Sequence, residues 1–108
     1  MHVLTERNGH FAVITVTGDL DATTTAQLQD EVRAARTLSG DLIFDMAGMS
    51  FMDSAGIRVL LDAYHHARAH GGTVSVCAPR PSPRKVMELV GLAGHIPIHD
   101  TLQEALGG

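Results

Sequence analysis

The sequence predicts an α/β domain: a mixed β-sheet of about four to five strands with helices packed against it, in the order ββαβαβα(β)α. Three observations point there. Short runs rich in β-branched and apolar residues alternate with stretches whose apolar side chains recur at helical spacing. A turn sequence, Asn8-Gly9, joins the first two runs. The 108 residues, 44% of them hydrophobic, can bury one sizeable core but not two, so a single domain over residues 1–108 is expected. The later strands should be parallel, joined by right-handed crossovers.

The elements follow in order. Residues 3–6 and 11–17 read as two strands joined by Arg7-Asn8-Gly9-His10, where Asn-Gly supplies the positive φ values of a type I′ turn. The second run, Phe11-Ala12-Val13-Ile14-Thr15-Val16, is apolar with little alternation, as in a central strand covered on both faces. Gly18-Asp19-Leu20-Asp21 breaks it. Leu28, Val32 and Ala35 then recur at i, i+4, i+7, predicting a helix over residues 23–36 with Asp21 or Thr23 as its cap. Ser39-Gly40 ends that helix before a third strand over residues 41–46. Beyond a loop, Ile57, Leu60, Leu61 and Tyr64 form one helical stripe, stopped by Gly71-Gly72. Residues 73–78 read as a fourth strand. Ser82 followed by Pro83 is a helix-start signature, with Val86, Leu89 and Val90 as the inward face and Gly91 as the C-terminal cap. Ile96-Pro97-Ile98 suits an edge strand, and Thr101 with Glu104 has the spacing of a capping box on a closing helix.

Composition excludes several functions. A net charge of -4 gives no general attraction to nucleic acid or anionic lipid. Arg80, Arg84 and Lys85 cluster without interleaved aromatics and read as a solvated rim. The lone Cys77 cannot form an intramolecular disulfide and reads as a buried thiol, which suits a reducing compartment. No signal-type or membrane-spanning run is present, so a cytoplasmic protein without a membrane partner is expected. Gly48 and Gly56 complete no nucleotide-binding fingerprint. His66 and His70 have metal-binding spacing, but no third ligand follows from the sequence, so they are expected to be solvated. A serine hydrolase fails as well. Its nucleophile elbow needs glycine two residues to either side of the serine, and Met52 stands where the first is required before Ser54. No enzyme is expected.

The informative stretch is Phe51-Met52-Asp53-Ser54-Ala55-Gly56-Ile57. Ser54 stands where a strand and loop pass into a helix, and reads as the N-cap. Helix starts leave backbone N–H groups unpaired and carry partial positive charge, so a phosphate on that hydroxyl would be tolerated. The loops at residues 18–21 and 45–54 both follow strands, and could face each other at the carboxyl edge where open α/β sheets gather ligands.

This stretch resembles the signature of the STAS family, specifically its bacterial anti-sigma factor antagonists. Gly18-Asp19-Leu20-Asp21 resembles the family's first loop, Asp53-Ser54-Ala55-Gly56 its phosphorylation loop, and Val90-Gly91-Leu92 with residues 101–106 its usual ending. The resemblance implies partner switching. Unmodified, the antagonist binds an anti-sigma factor that is also a serine kinase, and so frees a sigma factor; phosphorylation switches binding off and a serine phosphatase restores it. Ser54 would be the phosphoacceptor and Asp21 an acidic position used in partner recognition. ATP and magnesium would belong to the kinase, with no cofactor on this chain. Asp19, Asp21, Met52, Asp53, Ser54, Gly56, Arg58, Val59 and Asp62 are the expected partner-binding residues, the last three because helical spacing places Arg58, Val59 and Asp62 away from the core stripe. Phe51 and Met52 are candidate apolar anchors. The alternative within the same family is a STAS subunit of a transport system or a stress-signalling scaffold.

Overall fold

Strands form where β-branched and apolar residues cluster, and the computed structural model, which describes residues 1–107, places five of them in one sheet. The strands are β1 (His2–Asn8), β2 (Phe11–Leu20), β3 (Asp41–Met52), β4 (Thr73–Cys77) and β5 (Ile98–His99). The helices are α1 (Thr25–Ala35), α2 (Ser54–Ala69), α3 (Pro81–Leu89) and α4 (Leu102–Gly107), with a 3-10 turn at Leu92–Gly94. The strands lie in chain order; β1 pairs antiparallel with β2 and every later pair is parallel. This is the expected mixed α/β layering, with β2 in the interior of the sheet and β5 on an edge.

The faces of the sheet are unequal. Ala12, Ile14 and Val16 of β2, Leu42, Phe44 and Met46 of β3, and Val74 and Val76 of β4 meet Leu28, Val32 and Ala35 of α1 and Ile57, Leu60, Ala63 and Ala67 of α2 in the larger core. On the opposite face Val13, Ile43 and Cys77 are covered by Ala105, with Leu102 and Leu106 of α4 packed alongside. Burial, with Asp45 nearby, pushes the Cys77 thiol up to about 12, which keeps it protonated and unreactive at neutral pH.

Several boundaries differ from expectation, each for a local reason. Asn8 pairs with Phe11, so the turn is Gly9-His10 rather than Asn8-Gly9. Gly9 has φ 62 and His10 no positive φ, which excludes a type I′ turn. Residues 18–20 do not break β2. They continue it beside an extended β3, where Thr17 pairs with Gly48, Gly18 with Met49, Asp19 with Phe51 and Leu20 with Met52. Two register shifts each give β3 one extra residue, so the buried methionines Met46, Met49 and Met52 recur every third position. α3 starts two residues earlier than its Ser-Pro signature, with Pro81 as its first residue and Arg80 as N-cap. Its buried residues are Pro83 and Met87, with Val86 half-buried against the same core as expected; Leu89 is 77% exposed because it lies about 200° around the helix from Met87, and Val90, at the C-cap, is 54% exposed. The expected left-handed stop at Gly91 is present with φ 69, as is Gly71 with φ 75 after α2. Thr101 Oγ1 accepts from the Glu104 N–H at 3.1 Å and donates to the Glu104 carboxylate, which makes one half of the capping box.

Candidate functional site

The extended pairing of β2 with β3 brings the two predicted loops together at the carboxyl edge of the sheet. Asp19 is paired with Phe51, and the Asp53 N–H donates to the Leu20 carbonyl at 3.3 Å, which ties the end of β2 to the start of α2. The acidic segment at Asp19–Asp21 and the serine at the head of α2 therefore share one rim.

The cap of α2 is Asp53, not Ser54. Asp53 has extended backbone (φ -114, ψ -171), and its carboxylate accepts from the Ala55 N–H at 2.9 Å and the Gly56 N–H at 3.4 Å. Aspartate caps as well as serine does, and the chain turns into the helix one residue before the expected point. Ser54 becomes the first helical residue. Its side chain has no capping role and it is exposed to solvent.

Across the rim, Asp21 is fixed by its own turn. Its carboxylate accepts from the Thr23 hydroxyl at 2.6 Å and the Thr23 N–H at 2.9 Å, while its own N–H donates to Thr24 Oγ1. These bonds hold its pKa below the usual carboxylate value. Neither Asp21 nor Thr23 caps α1. The N-cap is Thr24, without a side-chain cap bond, because its hydroxyl is turned back to donate to the Asp19 carbonyl at 3.0 Å and to accept from the Asp21 N–H at 3.0 Å.

The remaining candidates separate by exposure. Asp19, Arg58 and Asp62 are exposed, and Asp62 borders a groove of about 210 Å³ with Gln29 and Arg33 of α1 and Arg36 at its C-cap. Met52 and Val59 are not on the surface. Met52 is 1% exposed because the second bulge of β3 turns it inward; Val59 is 3% exposed because α1 covers a wider face of α2 than the Ile57–Leu60 stripe marks. Gly56 is buried as well: a Cβ there would stand 2.8 Å from Met52 Cγ and 2.9 Å from Leu20 Cδ2, so its role at the rim is to let α2 approach the strand ends. Phe51 is the exposed apolar side chain of the rim, at 44%. The capping function of Asp53 does not emerge from the reading of Ser54 as the cap, although an aspartate immediately before a helical run is itself an N-cap signal.

The STAS domain family model matches residues 2–105. This chain belongs to the STAS family. An anti-sigma F factor antagonist of Paenibacillus polymyxa is 28% identical to this STAS domain over 110 residues, covering 98% of this chain and 94% of the relative. An anti-sigma factor antagonist from Mycobacterium paratuberculosis has a similar structure, with a TM-score of 0.90 and 27% identity, covering 98% of this chain and 91% of the other. SpoIIAA in its unphosphorylated form gives 0.82 at 26% identity, covering 97% and 93%. The Bacillus cell fate determinant SpoIIAA in its phosphorylated form gives 0.75 at 26% identity, covering 98% and 97%.

In this STAS domain, added charge at Ser54 would have definite neighbours. A phosphate brings about -1.5 to -2 units of charge. The N–H groups of Ala55 and Gly56 are already bonded to Asp53, so phosphate and carboxylate would compete for them. Arg58 lies four residues on, exposed and in no ion pair among the described residues, at the spacing where side chains on one helix meet.

Proposed function

We propose that this STAS domain is an anti-sigma factor antagonist whose binding is switched off by phosphorylation of Ser54. The observation that carries this reading is the solvent-exposed Ser54 at the first position of α2, on the same rim as Asp19 and Asp21. The relatives named anti-sigma factor antagonists support the partner class, and the relative solved in a phosphorylated form supports the modification.

In this mechanism the unmodified rim docks on an anti-sigma factor with serine kinase activity and frees its sigma factor. Asp19, Asp21, Phe51, Arg58 and Asp62 meet the partner. Met52, Val59 and Gly56 act from beneath, by fixing where α2 begins. The kinase supplies ATP and magnesium, a serine phosphatase reverses the reaction, and this chain contributes no catalytic group. Phosphate on Ser54 concentrates negative charge beside Asp53 and opposite the acidic turn. A partner surface shaped to a neutral hydroxyl then meets repulsion and a desolvation cost. A differential of about 3 kcal/mol weakens binding more than a hundredfold.

The direct test is incubation with a candidate anti-sigma factor kinase and ATP, read by intact mass. Wild type gains one phosphate and Ser54→Ala none; a phosphate that persists on Ser54→Ala excludes the site. Ser54→Asp is expected to keep the wild-type Tm while losing affinity for the unmodified form's partner. Unchanged affinity, measured calorimetrically, would count against release by charge.

A further inference from the structure

We infer that His66 and His70 form a binding site for a divalent transition-metal ion, at the end of α2 remote from Ser54. His66 lies in the last turn of the helix and His70 is its C-cap. Their rings are stacked on one side, with centroids 4.1 Å apart and planes 17° from parallel. Nδ1 of His70 lies 2.8 Å from the His66 carbonyl oxygen. A carbonyl only accepts, so Nδ1 carries a proton, and in the neutral ring the lone pair is on Nε2. Imidazole ligands in metal sites are held in this way, with one nitrogen bonded to a backbone carbonyl and the other free for the ion.

Both histidines are exposed and border a cavity of about 150 Å³. Imidazole selects copper, nickel and zinc over magnesium and calcium, and an i, i+4 pair on a helix is spacing that zinc sites use. An ion bound at about 2.0–2.1 Å requires the two nitrogens about 3 Å apart, so chelation requires the exposed His66 ring to turn out of the stack toward Nε2 of the tethered His70 ring. The helix C-terminus favours positive charge at this point, whereas the Arg36 guanidinium, which lines the same cavity, opposes it. No group of three or more His, Cys, Asp or Glu residues converges among the described residues, so water completes the coordination shell. The site is therefore a two-ligand one, weaker than a structural zinc centre.

The test is calorimetric titration of the full chain with zinc chloride at neutral pH, beside His66→Gln, His70→Gln and a control His65→Gln/His95→Gln that leaves the pair intact. Wild type and control are expected to bind one ion per chain with equal affinity. Each ligand variant is expected to bind about tenfold or more weakly. All the altered residues are exposed, and circular dichroism checks that each variant is folded. Zinc binding that survives unchanged in His66→Gln and His70→Gln, or that falls only in the control, overturns the assignment.

Discussion

At Asp53 a single carboxylate accepts from the Ala55 N–H, which the first turn of α2 would otherwise leave unpaired, and shares the Gly56 N–H with the Asp53 carbonyl. Asp53→Ala is expected to destabilise the fold by about 1 kcal/mol in urea denaturation, with faster amide exchange at Ala55 and Gly56, and Asp53→Ser should recover most of the loss. Asp21 behaves differently, because its hydrogen bonds with Thr23 act on its titration. Its folded pKa lies below the ordinary value of about 3.9, so the unfolded chain binds more protons between the two. The resulting stability is present above the unfolded pKa and is lost as pH falls through the folded one. Tm measured from neutral to strongly acid pH should therefore fall less steeply below about pH 4 in Asp21→Asn than in wild type. Neither role follows from residue type alone, since an aspartate beside a serine or threonine leaves open which of the two caps the helix.

The elements differ in how openly the chain announces them. The Leu28–Val32–Ala35 stripe of α1 appears in the structure as it does in the sequence, because one helix buries one face at a constant period. The outer half of β3 was hidden, because two bulges change the burial period from two to three and the stretch reads as a loop. Glycines mark where elements approach one another. A Cβ on Gly72 would stand 2.1 Å from the Gly40 carbonyl oxygen, and this backbone contact cannot relax without moving the start of β3 or β4. Gly72→Ala is expected to cost upwards of about 2 kcal/mol. Gly56→Ala meets buried side-chain carbons of Met52 and Leu20 rather than backbone, and gains up to about 1 kcal/mol of helix propensity, so it should cost less. Chemical denaturation of the two variants checks that order.

Across the whole molecule, stability rests on the α1–α2 side of the sheet, and the exposed apolar end of α3 contributes little. Leu28→Ala, at a fully buried position, is expected to cost about 2–5 kcal/mol, while Leu89→Ala should stay within about 0.5 kcal/mol; equal losses in thermal or urea unfolding would contradict this placement. The sequence by itself determined the order of strands and helices, the amphipathic stripe of α1, the glycine stops at Gly71 and Gly91, and the serine-bearing junction, because propensity, period and turn chemistry act over a few neighbouring residues. Only the tertiary structure decided that β2 and β3 run on together, that Asp53 rather than Ser54 caps α2, that Met52 and Val59 face inward, and that the stacked rings of His66 and His70 share a cavity with Arg36. These depend on register and on which element covers which face, and both are set by packing between residues far apart in the chain.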